Sequence, residues 1–355
     1  MSSDPSADFS GLAETPDHLR FDEAGLAAFM AANVEGFQAP ITVKKFKGGQ
    51  SNPTYLLTTP NKQYVLRRKP PGKLLPSAHA VEREYKVITA LGAEGFPAPK
   101  TYALCEKPEI IGTPFFIMDF VEGRIFWDSS LPEVTKEERA PLYFALVDTL
   151  ADLHLIDYRA AGLGDFGKPG NYFERQIGRW SKQYLAAETE KIKEMNALID
   201  WLPTAIPADD AVSIVHGDFR FDNAIMHPTE PKTLAVLDWE LSTIGHPLAD
   251  FTYFLMAWHF PRSVRGGLAG LDIAALGIPT LEEVVAHYSD RTGRNGVADL
   301  DFCLSYNMFR LASIAQGVYA RALQGNASSP QAIEMGKQIQ PLAALAWHYA
   351  AKAGA

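Results

Sequence analysis

Three short early runs are rich in β-branched and aromatic residues. ITVKKF (41–46), TYLLTT (54–59) and QYVLR (63–67) carry strand patterning and are bounded by turn residues. Gly48-Gly49-Gln50-Ser51-Asn52-Pro53 separates the first two and Pro60-Asn61 the next two, which predicts an antiparallel meander rather than βαβ units. SAHAVEREYKVITALG (77–92) changes to helical spacing, with Ser77 as N-cap, Gly92 just past the end, and Val81, Ile88 and Leu91 on the apolar face. TYALC (101–105) and PFFIMDFV (114–121) return to strand texture. The second is continuously apolar, as in a strand buried on both faces.

Beyond Glu122-Gly123 the pattern is mostly helical. Leu142, Leu146, Leu150 and Leu153 recur at helical spacing, Thr280 and Glu283 form a capping box, Asp299 opens a long apolar helix ending near Gly325, and Pro341 is expected to kink the last one. Two segments interrupt the helices: SIVHGDFRFDNAIMHP (213–228) and TLAVLDWELSTIG (233–245) set short strands around polar residues. Residues 22–33 read as one short helix, and residues 1–20, rich in Ser, Asp, Pro and Ala, as a mobile tail. The expected fold is α+β and bilobal: a five-stranded antiparallel N-lobe with one helix over 21–121, a mainly helical C-lobe over 122–355, and a site between them.

Composition narrows the function classes. The 355 residues are 47% apolar and 21% charged, enough to build a core without disulfide or metal staples. Lys and Arg number 33 against 42 Asp and Glu, a net charge of −9, which argues against a general nucleic-acid or anionic-membrane partner. Cys105 and Cys303 stand far apart, without CxxC spacing, and read as buried free thiols. No apolar run is long enough for a membrane span, and the N-terminal residues lack a basic and apolar leader, so a cytoplasmic location is expected.

The chemistry concentrates in one cluster. His216, Asp218 and Asn223 form H-x-D-x4-N, and Asp238 ends an apolar strand in LAVLDWE. Phosphoryl transfer needs this donor set. Mg²⁺ prefers carboxylate and amide oxygens plus waters, and a separate carboxylate accepts or orients the hydroxyl proton. Asp218 is the expected base, Asn223 and Asp238 the expected metal ligands, and Arg220 a cation offsetting charge on the transferred group.

HGDFRFDN and LDWE resemble the catalytic and metal segments of the aminoglycoside phosphotransferase family, a branch of the protein-kinase-like fold. The resemblance implies Mg-ATP as cosubstrate. GHPLADF (245–251) also matches, and its Asp250 corresponds to a family Asp that braces the catalytic loop. The resemblance further implies a phosphate-covering loop at KGGQSN (47–52), with Gly48, Gly49, Ser51 and Asn52 as nucleotide contacts, and a hinge at FFIMDFVEGR (115–124), where Met118 and Phe120 flank an adenine ring. Arg67 stands where the family usually carries Lys. On the following helix Glu84 lies roughly 40° from Ile88 and Glu82 roughly 120°, so Glu84 turns toward the sheet and is the expected partner of Arg67. Glu240 is a candidate for ordering water near the metal, and His154 reads as a core histidine.

Residues 64–85 and 237–251 look closer to the kinase-like domains fused to some acyl-CoA dehydrogenases than to drug-resistance enzymes. That resemblance implies a small-molecule hydroxyl acceptor, a hydroxyacyl-CoA or hydroxy acid, with Arg67, Arg68, Lys69 and Lys73 as candidate contacts for CoA phosphates. The alternatives are an aminoglycoside acceptor, a nucleotide-binding pseudokinase regulating a partner, and a metal-dependent phosphohydrolase.

Overall fold

Short runs rich in β-branched, aromatic and apolar residues become strands wherever they can pair. In the computed structural model, described for residues 11–47, 52–72, 79–264, 266–324 and 331–355, the chain forms ten strands and ten helices among those residues. The N-terminal part runs β1 (Leu12–Ala13), α1 (Glu23–Asn33), β2 (Thr42–Phe46), β3 (Thr54–Thr58), β4 (Gln63–Arg68), α2 (Val81–Ala93), β5 (Thr101–Cys105) and β6 (Phe115–Asp119). Then follow α3 (Lys136–Leu155), α4 (Tyr172–Ala186), α5 (Lys193–Trp201), β7 (Ser213–Val215), β8 (Ala224–Met226), β9 (Thr233–Val236) and β10 (Thr243–Gly245). The chain closes with α6 (Pro247–His259), α7 (Ile273–Leu276), α8 (Leu281–Thr292), α9 (Leu300–Leu323) and α10 (Gln331–Lys352).

Two compact units result. The first comprises Met1–Trp127, Arg159–Phe166 and Phe221–Ser242; the second comprises Asp128–Tyr158, Gly167–Arg220 and Thr243–Ala355. This differs from a single cut at 121–124, because the first unit also takes the β8–β9 hairpin. Pairing explains why: Arg124 and Met226 exchange backbone hydrogen bonds at 2.8 Å, and a Cβ on Gly123 would meet Met226 O at 2.4 Å. Only glycine admits that approach.

In the first unit the sheet order is β1-β2-β3-β4-β6-β5, all antiparallel. It has six strands rather than five. The addition is β1, which pairs Leu12 with Phe46 inside the segment read as a mobile tail; residues 1–10 of that tail lie outside the described residues. One face buries Tyr55, Leu57, Leu66, Phe115 and Ile117 against Leu26 and Met30 of α1. The other is covered by α2, which buries Val81, Glu84, Val87, Ile88 and Leu91. The predicted cap Ser77 lies outside the described residues, and Ala80 occupies the N-cap position.

In the second unit α9 packs along α10, α4 and α6, and α3 against α8. The Thr280–Glu283 capping box starts α8, with Thr280 Oγ1 accepting from Glu283 N at 3.2 Å. β7 and β10 form a two-stranded ribbon whose exit carries the catalytic-loop sequence. Pro341 lies inside α10, and both cysteines are buried free thiols.

Candidate active site

In the first unit the site grows from the interior strand β4. Thr54 of β3 and Phe116 of β6 flank Arg67 in register, leaving it 8% exposed. A guanidinium there needs carboxylates. Its Nε lies 2.8 Å from Glu84 Oε2 and its Nη2 donates to Asp238 Oδ1 at 2.6 Å, with Glu240 Oε2 at 4.0 Å. Burial would pull the Arg67 pKa down, but Glu84, Asp238 and Glu240 together raise it, so it stays a cation. Burial also pushes the Glu84 carboxyl up, a trend Asp238 reinforces and Arg67 and Asn52 oppose.

Asp238 follows β9 in the left-handed conformation, φ 62° and ψ 63°. Asp and Asn tolerate this region better than most residues. Asn223 sits beside it through the hairpin: Ala224 pairs with Val236, and Leu237 N donates to Asn223 O at 2.8 Å. Arg67, Glu84, Asn223 and Asp238 are among the residues lining a cavity of about 350 Å³. Its remaining walls are mainly apolar and include Phe46, Val65, Met118 and Phe120, with the Phe46 and Phe120 rings stacked at 6.5 Å. A mainly apolar pocket with a few convergent polar groups is a common small-ligand site.

Other expected contacts stand elsewhere. Gly48, Gly49 and Ser51 lie outside the described residues, as does Lys73. Asn52 is fully buried. Its Nδ2 donates to Glu84 Oε1 at 2.7 Å, so it steadies the carboxylate that pairs with Arg67. The basic run is not a shared anion patch: Arg68 is 2% exposed and donates to Thr113 Oγ1 at 2.8 Å, while Lys69 pairs with Glu82 at 2.9 Å. Asp119, at the end of β6, is engaged by Tyr102 at 2.6 Å and Lys62 at 2.7 Å.

The second unit holds Asp218 and Arg220. Asp250, on the first turn of α6, accepts from His216 N at 2.6 Å and Gly217 N at 2.8 Å and so grips the loop before Asp218. Burial would raise the Asp250 pKa, but His154 and His216 hold it below the usual carboxylate range. His154, buried and pushed down by burial, lies 3.4 Å from Asp250 and 2.6 Å from Tyr288 Oη. Asp218 Oδ1 accepts from Tyr253 Oη at 2.5 Å and lies 3.2 Å from Arg220 Nε. Tyr253 was not legible as a site residue; the available signal was its position three residues after Asp250, on the same face of α6.

With this geometry in view, residues 42–287 match the model of the phosphotransferase enzyme family. The chain belongs to that family. A mouse protein named acyl-CoA dehydrogenase family member 10 is 45% identical over 317 residues, spanning 89% of this chain and 30% of that protein. The chain spans less than half the length of the curated relatives it matches. A crystal structure from Ralstonia eutropha JMP134, described as a candidate aminoglycoside phosphotransferase, is 51% identical, with TM-score 0.86 over 94% of this chain and 99% of that one. Spectinomycin phosphotransferase, solved with ADP and spectinomycin, shares the fold at 13% identity, with TM-score 0.61 over 93% of this chain and 98% of that one. The fold of this phosphotransferase-family chain is thus α+β and protein-kinase-like.

The donor set suits Mg²⁺. Among the described residues no three His, Cys, Asp or Glu side chains converge on a metal position. Mg²⁺ is usually held by one or two carboxylates plus substrate phosphates and waters rather than by an all-protein cage. Arg67 lies among the carboxylates of Glu84, Asp238 and Glu240, a carboxylate-rich setting that suits a divalent cation. Among the described residues no helix is long and apolar enough to cross a membrane.

Proposed function

We propose that the chain transfers the γ-phosphoryl group of Mg-ATP to a hydroxyl of a small molecule, a hydroxyacyl-CoA or hydroxy acid. The observation that supports this reading is that Arg67, Asn223 and Asp238 line one mainly apolar cavity, with Arg67 bonded to Asp238. Adenine occupies the walls near Met118 and Phe120, where backbone groups of Phe120 and Val121 supply its hydrogen bonds. Arg67 meets the phosphates. Asn223 and Asp238 hold Mg²⁺, which when bound neutralises charge on the β- and γ-phosphates. Asp218 takes the proton of the acceptor hydroxyl, and Arg220 offsets charge on the transferred group.

The CoA acceptor draws on the name of the mouse relative. A second reading, an aminoglycoside acceptor, draws on the 51%-identical protein from Ralstonia eutropha. An ADP-release screen over hydroxyacyl-CoAs, hydroxy acids, aminoglycosides and small sugars separates them. Stimulation by a hydroxyacyl-CoA or hydroxy acid supports the first reading. Turnover with aminoglycosides alone replaces the acceptor and leaves the phosphoryl-transfer reading intact.

A further inference from the structure

Arg310 of α9 is 5% exposed, and among the described residues no carboxylate forms an ion pair with it. A permanently charged guanidinium buried without a direct ion pair is costly, and the Asp218 carboxylate favours its charge only through space, so its position calls for a reason. Its Nη2 donates to Gly217 O at 2.7 Å. Its guanidinium carbon lies 5.7 Å from the Trp180 ring of α4 and 5.4 Å from the Tyr253 ring of α6, so two aromatic faces supply part of the missing stabilisation.

Gly217 has φ 85°, a conformation other residues rarely adopt. Asp250 holds the N–H groups of His216 and Gly217, and Arg310 holds the Gly217 carbonyl. The residue before Asp218 is therefore fixed through both its donor and its acceptor. Tyr253, against which Arg310 packs, donates directly to Asp218 Oδ1. Arg310 also lies beyond residues 42–287, so the family match assigns it no role.

We propose that Arg310 and Tyr253 are positioning residues for the phosphoryl-transfer step, Arg310 fixing the Gly217 carbonyl and Tyr253 orienting the Asp218 carboxylate toward the acceptor hydroxyl. This rests on the reading of Asp218 as the group that takes the proton. A carboxylate misplaced by a fraction of an ångström loses alignment with the hydroxyl while nucleotide binding, built from other residues, persists.

Three variants test the inference, with ADP release under saturating acceptor and Mg-ATP binding measured for each. Tyr253→Phe removes one hydroxyl and is expected to lower kcat about tenfold. Arg310→Met is expected to lower kcat about 100-fold, and Arg310→Lys to recover part of that loss because it keeps the charge and one donor. Mg-ATP affinity stays within about twofold of the parent in all three, the sign that an interaction made mainly in the transition state has gone. If Arg310→Met does not fold, Tyr253→Phe and Arg310→Lys carry the test. Parental kcat in both of those variants, or a loss of Mg-ATP affinity matching the loss of kcat, overturns the inference. Parental kcat in Asp218→Asn overturns the base assignment instead, and the inference with it.

Discussion

Arg67 and Asp238, 171 positions apart in the chain, are joined by a 2.6 Å hydrogen bond from Nη2 to Oδ1. The same guanidinium keeps its Nε 2.8 Å from Glu84. A planar fork serves two carboxylates from different edges at once, whereas an ammonium is a compact point charge on a flexible stem. This is a physical reason for Arg at a position where the family resemblance leads one to expect Lys. It ties β4, α2 and the end of β9 to one cation.

Arg67 and Glu84 are therefore expected to be energetically coupled. Arg67→Met strands a buried carboxylate and should cost about 3–5 kcal/mol of stability. Glu84→Gln leaves Arg67 with Asp238 and should cost less, about 1–3 kcal/mol. In the double variant the two losses should fall short of their sum by about 0.5–3 kcal/mol in urea denaturation. Additive losses would mean that the pair does not interact.

Asp238→Asn separates charge from conformation. Asn tolerates the left-handed backbone that Asp238 adopts, so the β8–β9 hairpin should persist, with an unchanged circular dichroism spectrum. The negative charge that faces Arg67 and that is proposed to hold the metal is lost. Calorimetric titration with ATP is expected to show that Mg²⁺ no longer strengthens nucleotide binding, and turnover should disappear. Retained Mg²⁺ dependence would remove Asp238 from the ligand set.

The longer strands of the first sheet were legible because each run is short, rich in β-branched, aromatic or other apolar residues, and bounded by turn residues. β1 was not: two exposed residues, Leu12 and Ala13, carry no period. Glu84 was placed inward by helical angle alone, and it lies 1% exposed against the sheet. Arg68 shows the limit of that reasoning. Charge in a basic run suggests solvent, yet the side chain is buried beside Thr113 and 5.3 Å from the Phe21 ring. Tyr253 and Arg310 were hidden differently, because an aromatic in an apolar helix and a lone cation in a long one resemble core and surface. Grouping of residues 221–242 with the first unit depends on the Arg124–Met226 pairing, which spacing along the chain does not reveal.

Acid should destabilise the second unit through its buried imidazoles. Burial, aided by Lys352, lowers the His259 pKa to about 4, and burial lowers that of His154 as well. An unfolded histidine titrates near 6.5, so between about pH 6.5 and 4 the unfolded chain binds more protons than the folded one. Stability therefore falls as pH drops through that window. His259→Gln keeps a group able to bond Tyr349 Oη, which lies 2.7 Å from His259 Nδ1, but removes the titration. The pH 7 to 5 stability difference should shrink by about 1–2 kcal/mol in that variant, read from thermal unfolding at each pH. An unchanged difference would show that His259 does not contribute.

Asp218→Asn tests the proposed chemistry most directly. The amide keeps an oxygen that can accept from Tyr253, so the loop geometry held by Asp250 should survive. What it loses is the capacity to take a proton and the negative charge that draws the hydroxyl hydrogen. General-base loss typically costs 10²–10⁴-fold, and kcat should fall by about that factor. The residues lining the cavity proposed for the nucleotide do not include Asp218, so Mg-ATP affinity should stay near the parental value. That pattern differs from the one expected for Asp238→Asn, which loses Mg-dependent binding together with turnover. Measuring both quantities in both variants assigns the two carboxylates. If Asp218→Asn loses Mg-ATP binding while Asp238→Asn keeps it, base and metal ligand have been interchanged.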